Sequence, residues 1–106
     1  MKVTVWTSQT TMKDAIDTVE SGYLAVTEWK GWAEYKVKVT NNHASATIYI
    51  GFYRDVTTTD WGLRVQPWDD EVFDIANEAG ADGAELDNVK MICDVENTDI
   101  HIAITA

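Results

Sequence analysis

The sequence is poor in the residues that usually build covalent or metal-bound sites. Its 106 residues include one cysteine, one proline and two histidines. A single cysteine, Cys93, excludes an internal disulfide and any metal site built from several cysteines. Cys93 alternates with Met91 and Val95, a pattern that predicts a small buried side chain rather than a nucleophile.

Basic residues are also scarce, with 8 Lys and Arg against 18 Asp and Glu, for a net charge of −10. The imbalance lies in residues 54–106, which hold three basic and thirteen acidic residues. Such a surface repels phosphate backbones and anionic lipids, so we expect neither nucleic acid nor a membrane as partner. The acidic half is typical of a surface that keeps a protein soluble, and the alternative is docking onto a basic partner.

Long apolar runs are missing as well. No segment approaches the roughly 20 residues needed to cross a bilayer. The first residues lack a basic stretch followed by an apolar run, so we expect no signal peptide and synthesis in the cytoplasm without secretion. The length predicts one domain, residues 1–106, with a hydrophobic content of 45% that suffices for a two-layer core.

Apolar residues that recur at every second position dominate the chain and predict strands. The stretch 46–53 has apolar or aromatic residues on both faces, so we expect it at the centre of a sheet. Many short strands at close spacing predict a mostly β protein, an antiparallel β-sandwich or small jelly roll. The predicted strands are 3–6, 35–40, 46–53, 63–66, 72–75, 89–95 and 100–105.

One short N-terminal helix is compatible with residues 11–21. Met12, Ala15, Ile16 and Val19 fall on one helical face. Thr10 or Thr11 can cap its start, and Gly22 can end it.

The remaining segments are predicted to be turns and loops. Residues 70–79 fit a helix or a strand, and the order of residues in 72–75 favours the strand. Residues 76–87 then form a surface loop. Gly62 can supply a positive φ at the tip of a hairpin between 56–60 and 63–66. Residues 96–99 are expected to connect the last two strands as a short hairpin loop.

The chain carries no pattern that predicts catalysis. His43 lies in an Asn-rich turn and His101 on the polar side of an alternating strand, and neither has a nucleophile pattern nearby. We therefore predict no catalytic residue, no cofactor and no enzymatic activity. Residues 82–88 offer oxygen ligands for calcium but lack the order of an EF-hand loop, and a solvated loop is the alternative, so no metal ligand is assigned.

Tryptophan is the unusually abundant residue. A two-layer sandwich of this size has limited inner volume, so some of the five indoles must lie at edges or on the surface. Exposed aromatic residues concentrate at binding interfaces. The predicted partner interface therefore consists of Trp6, Trp29, Trp32, Trp61 and Trp68.

The order of turns and strands in residues 42–106 resembles that of a known group of proteins. The segments that carry the resemblance are 42–51, 56–63, Gln66-Pro67 followed by 72–75, 89–93 and 100–104. They are similar to small β-sandwich structural proteins of tailed-bacteriophage virions, of the capsid decoration (cement) or head-fibre type. That pattern prefers glycine after the proline, where this chain has Trp68. Residues 1–40 match nothing in it; in such proteins this part serves as an attachment or oligomerisation segment.

The resemblance implies a non-enzymatic structural protein of the virion. Such a protein binds the major capsid protein or another virion protein, stabilises the head and forms homodimers or homotrimers. In this interpretation the tryptophans are anchors, and the strand Val3–Trp6 pairs with the edge of a neighbour. The alternative is a carbohydrate-binding module or receptor-binding domain, in which Trp29 with Trp32, or Trp61 with Trp68, forms a platform for sugars.

Overall fold

The computed structural model describes residues 1–20, 36–74, 86–96 and 98–105. Within these ranges the chain forms strands, one helix and one 3₁₀ turn. In chain order they are β1 (Lys2–Val5), β2 (Thr10–Thr11), α1 (Met12–Val19), β3 (Lys36–Thr40), β4 (Ile48–Phe52), β5 (Leu63–Val65), β6 (Asp70–Asp74), the 3₁₀ turn (Leu86–Asn88), β7 (Val89–Cys93) and β8 (Thr98–Thr105).

The strands form two four-stranded antiparallel sheets, which confirms the predicted fold class. The first sheet has the order β1-β8-β3-β6 and the second β2-β7-β4-β5. In the first sheet Val39 lies opposite Ile102, and in the second Ile50 lies opposite Met91. All four of these residues are buried in one core between the sheets, so the architecture is that of a β-sandwich.

The alternation of residue types decides which face of each strand is buried. In β8, Ile100 and Ile102 are buried while His101 is exposed. In β3 the two valines are buried and the two lysines exposed. Strand β4 lies between β7 and β5, as its two apolar faces predict. The remaining strand pairs follow the same logic, because successive side chains of a strand point to opposite faces.

The short helix is present and closes one side of the sandwich. The hydroxyl of Thr11 accepts a hydrogen bond from the backbone N–H of Asp14 at 3.0 Å, which caps the helix start as predicted. Met12 and Ile16 are buried, and the helix packs against β1, β2, β7 and the 3₁₀ turn. The helix ends at Val19, two residues before the predicted end, and Val19 is exposed; Gly22 lies outside the described residues.

The predicted hairpin with Trp61-Gly62 at its tip is wrong. Strand β4 pairs directly with β5, and the chain from 53 to 62 connects them without forming a strand at 56–60. Val56 is buried, and its Cβ lies so close to Gly51 that a Cβ at that glycine would be 2.9 Å from it. This stretch therefore folds back over β4 instead of extending beside β5.

The predicted hairpin between the last two strands is also wrong. Strand β7 belongs to the second sheet and β8 to the first, so the chain passes from one sheet to the other between Cys93 and Thr98. The strand ends at Cys93, whose backbone N–H donates to the Trp6 carbonyl at 2.9 Å. Val95, expected inside the strand, is exposed.

The segment that fitted either a helix or a strand is strand β6, Asp70–Asp74. Most of the loop expected at 76–87 lies outside the described residues, and its last part is the 3₁₀ turn, in which Leu86 is buried. The other side of the sandwich, opposite α1, is bordered by β5 and β6. We call this the open side, because no other described strand pairs with the outer edge of either strand.

Candidate partner-binding surface

The described tryptophans lie at the surface to different degrees. Trp68 is 71% exposed and Trp6 is 46% exposed, while Trp61 is half-buried. Trp29 and Trp32 lie outside the described residues. The structure therefore places Trp6, Trp61 and Trp68 at three separate points of the chain.

Trp68 occupies a tight turn between β5 and β6. The backbone N–H of Asp69 donates to the Gln66 carbonyl at 3.1 Å, with Pro67 at the second position and Trp68 at the third. The φ of Trp68 is 63°, in the left-handed region that a type II turn requires at this position and that glycine normally supplies. We call residues 66–69 the Trp68 turn. The turn places a large aromatic residue in a left-handed backbone conformation, which lowers the stability of the folded protein by roughly 1–2 kcal/mol for a non-glycine residue.

The Trp68 turn is fixed to the body of the protein by Asn41. This side chain is fully buried, and its amide donates to the Val65 carbonyl at 3.2 Å and to the Ala46 carbonyl at 2.7 Å. The backbone N–H of Asn41 donates to the Asp69 carbonyl at 2.9 Å. Asn41 therefore holds both ends of the turn, since Val65 precedes it and Asp69 is its last residue.

His43 completes this network from the loop before β4. Its backbone N–H donates to the Asn41 side-chain oxygen at 3.0 Å, and its Nδ1 accepts from the backbone N–H groups of Ser45 and Ala46, each at 3.0 Å. The role of His43 in the structure is to order a loop.

Acidic side chains follow Trp68 directly. Asp69, Asp70 and Glu71 are consecutive. Asp70 forms an ion pair with Lys38 at 3.4 Å. Among the described residues no Lys or Arg lies within ion-pair distance of Asp69 or Glu71. The three residues that follow Trp68 therefore carry more negative than positive charge, although Arg64 lines the same groove as Asp69 and Glu71.

Trp61 has a different environment from Trp68. The guanidinium of Arg64 lies 4.9 Å from the centre of its ring, in a cation–π contact. The Tyr49 ring lies 6.2 Å away at an angle of 51°. Trp61 also lines a groove of about 350 Å³ that runs along the open side to Asp69 and Glu71. The Arg64 guanidinium therefore occupies one face of the Trp61 indole.

A second groove, of about 330 Å³, continues along the open side. At its base the Phe52 and Phe73 rings meet edge to face at 5.1 Å, one from each sheet. Gly62 allows this arrangement, because a Cβ there would lie 2.7 Å from a ring carbon of Phe52. Val72, on the outer face of β6, is exposed beside the groove.

Trp6 lies on the opposite side, next to α1. Together with Val19 it lines a small groove of about 110 Å³, and both side chains are exposed. Strand β1 itself pairs with β8 of the same chain. Its pairing with a neighbouring molecule stays a prediction.

Tyr53 is a surface feature that the sequence did not reveal. It is 56% exposed and has a φ of 61°. It follows β4, whereas the Trp68 turn follows Val65, which pairs with the first residue of β4. Tyr53 and Trp68, the non-glycine residues of the described chain with positive φ, therefore lie at opposite ends of the β4–β5 pair.

Asp55 belongs to a polar cluster near Tyr53. Its carboxylate accepts hydrogen bonds from the Gln9 amide at 3.1 Å and from the Lys90 ammonium at 3.3 Å. These bonds, first that from Gln9 and then that from Lys90 together with the lysine charge, hold the pKa of Asp55 below its ordinary value. The side-chain oxygen Oε1 of Gln9 also accepts a hydrogen bond from the backbone N–H of Val56 at 2.8 Å, so the cluster attaches the 53–62 connection to the body of the protein.

The residues considered for chemistry take structural or surface positions. Cys93 is buried as predicted, and its thiol donates to the Val5 carbonyl at 3.1 Å. His101 is exposed on β8. Within residues 1–20, 36–74, 86–96 and 98–105, no three His, Cys, Asp or Glu side chains are grouped to hold a metal ion. Most of the 82–88 segment lies outside these ranges.

No helix among the described residues is long and apolar enough to span a bilayer. Comparisons with known proteins add no relative: no family model, no curated protein and no solved structure matches this chain.

Proposed function

We propose that this chain is a non-enzymatic binding protein of a bacteriophage virion, which attaches to capsid protein and stabilises the head. The observation that carries the attachment is Trp68, an indole that is 71% exposed on a strained turn. Burial of such a side chain against a partner removes a large apolar surface from water. The capsid as partner rests on the resemblance of residues 42–106 to decoration and head-fibre proteins.

The charge of the surface supports the same function. The net charge of −10 keeps particles coated with many copies apart by mutual repulsion. Ion pairs on the first sheet, Lys36 with Asp74 at 3.7 Å and Lys38 with Asp70 at 3.4 Å, cover its edge strand with charge. Charged edges oppose indiscriminate strand pairing, so attachment through the exposed rings is favoured over pairing at the β6 edge.

The test is a sedimentation assay with particles assembled from the major capsid protein encoded in the same genome. The purified chain should pellet with the particles, saturate at a fixed number of copies per capsid subunit, and raise the temperature at which the particles fall apart. Light scattering on the free chain measures its mass and tests the proposed dimer or trimer. A chain that stays in the supernatant at every concentration refutes the proposed function.

Carbohydrate binding is the second candidate, and the open face of the Trp68 ring favours it. Trp61 fits a sugar platform less well, because Arg64 lies over its ring. Titration with a panel of glycans, followed by tryptophan fluorescence, separates the two functions. A saturable change that disappears in Trp68→Ala supports sugar binding, and an unchanged spectrum throughout the panel rejects it.

A further inference from the structure

We infer that Trp68 is the main anchor of the binding surface and that it inserts into an apolar pocket of a partner protein whose border carries Lys or Arg. The inference rests on the proposed function and specifies the residue and the chemistry of the partner. Three features of the described residues carry it: the backbone conformation of Trp68, the rigidity of its turn, and the charge around the indole.

The backbone conformation is one that the residue disfavours. Glycine adopts a φ of 63° freely, whereas a tryptophan there makes the free protein less stable. The side chain gives no stability in return through burial, since it is 71% exposed. Strain of this kind persists where the surrounding structure enforces it, and it is concentrated at functional positions.

The turn is rigid before any partner arrives. Pro67 restricts the second position, the Gln66–Asp69 hydrogen bond closes the turn, and Asn41 holds Val65 and Asp69 from the buried side. The Asp69 carboxylate also accepts from the backbone N–H of Asp70 at 2.8 Å. An anchor on a fixed backbone loses little conformational entropy on binding, so more of its burial energy appears as affinity.

The acidic residues that directly follow Trp68 indicate the chemistry of the partner. Asp69 and Glu71 have no cationic partner within ion-pair distance among the described side chains, and Asp70 has one, Lys38. Protein interfaces typically have aromatic residues in the core and polar residues at the rim. A negative rim favours a pocket bordered by cations and rejects one bordered by carboxylates.

The experiment measures binding of Trp68 variants to the same capsid particles. Trp68→Ala and Trp68→Gly should each weaken binding by roughly 30-fold or more, the effect of a hot-spot residue. Trp68→Gly should also unfold at a higher denaturant concentration than the wild type, because it removes the strain. This gain in stability shows that lost binding does not come from misfolding.

Tyr53→Gly is the matched control, since it removes an exposed ring from a left-handed position at the other end of β4 and β5. Its affinity for the particles should stay within about twofold of the wild type, as expected outside a hot spot. The double variant Asp69→Asn with Glu71→Gln tests the rim and keeps the Asp69 oxygen that accepts from Asp70. It should bind more weakly than wild type at low salt and should lose most of the salt dependence, because screening shortens from about 10 Å at 0.1 M to about 3 Å at 1 M.

The outcomes distinguish the role of Trp68 from the capsid-binding function. Particles that bind the wild type and Trp68→Gly equally well overturn the anchor and leave the capsid-binding function standing. The cationic border of the partner pocket is refuted if the affinity of the wild type does not depend on salt concentration. It is also refuted if the double variant binds as tightly as the wild type. If the wild type binds no particles but a glycan quenches the fluorescence of Trp68, both the capsid-binding function and the insertion of Trp68 into a protein pocket are refuted.

Discussion

Asn41→Ala should be among the most damaging single substitutions in the described part of this chain. The residue is fully buried, and its side chain makes hydrogen bonds to three backbone groups: the carbonyls of Ala46 and Val65 and the N–H of His43. Alanine leaves all three without this partner. A buried polar group that loses its partner costs about 1–3 kcal/mol.

The expected loss lies near the lower end of the sum of these costs. The His43 N–H is only partly buried, so water can replace the lost bond there. The two carbonyls sit deeper, and they account for most of the loss. We therefore expect Asn41→Ala to lower the free energy of unfolding by about 3 kcal/mol, a large share of the stability of a small domain.

Urea denaturation followed by circular dichroism measures this difference, and the exposed neighbour provides the control. Asn42→Ala should change the free energy of unfolding by no more than about 0.5 kcal/mol, as surface substitutions usually do. Asn41→Asp should destabilise more than alanine at neutral pH, because a carboxylate would face two carbonyl oxygens. The excess should shrink in acid, where a protonated carboxyl can donate to one of them. An Asn41→Ala variant within about 1 kcal/mol of the wild type refutes the reasoning, since one unpaired buried carbonyl alone should exceed it.

Two further substitutions test other parts of the fold. The pKa of Asp55 in the folded protein is lowered by the hydrogen bonds from Gln9 and Lys90 and by the charge of Lys90. The ionised carboxylate therefore stabilises the folded state at pH values above the pKa of Asp55 in the unfolded chain. This contribution is lost as the pH falls through the lower pKa of the folded protein. Asp55→Asn should therefore be less stable than the wild type at neutral pH and should approach the stability of the wild type in acid. Thermal unfolding at a series of pH values measures this, and a stability difference that stays constant with pH would contradict the prediction. Gly62→Ala should lower the free energy of unfolding by about 1–3 kcal/mol, because its Cβ would collide with the Phe52 ring; Phe52→Leu in the same chain should recover part of the loss, and unchanged stability of the single variant would show that the ring moves aside freely.

The sequence predicted the parts of the fold that depend on local alternation. In β3, exposed and buried residues alternate as far as Val39, and in β8 they alternate as far as Ile102. This alternation arises because successive side chains of a strand point to opposite faces of the sheet. The helix start was also local, because Thr11 precedes a face of apolar residues. Features that depend on a few neighbouring residues could therefore be predicted from the sequence.

Pairing between strands that are distant in the chain could not be predicted from the sequence in this way. Alternation reports which face is buried but not which sheet a strand joins. A hairpin loop was therefore expected at 96–99, although β7 and β8 belong to different sheets. Val56 looked like part of a strand, whereas its burial against Gly51 depends on a contact that only the folded chain creates.

The positions of the described tryptophans were predicted in outline and not in detail. An excess of indoles for the inner volume pointed to surface rings, and the structure places Trp6 and Trp68 there. The cover that Arg64 forms over Trp61 depends on the position of β5 beside β4 and was not visible in the sequence. The left-handed Trp68 did have a signal: it follows Pro67 at a position where the resembling pattern prefers glycine, which is the residue that tolerates this conformation.

The position of β8 has a consequence for how the protein reaches its folded state on the ribosome. This strand is the last described element of the chain, yet it lies between β1 and β3 in the middle of the first sheet. Until it has left the exit tunnel, β1 has no partner in that sheet and β3 lacks one of its two neighbours. Closing such distant pairs is slow, so β1 and one edge of β3 remain unpaired in the nascent chain until β8 has emerged.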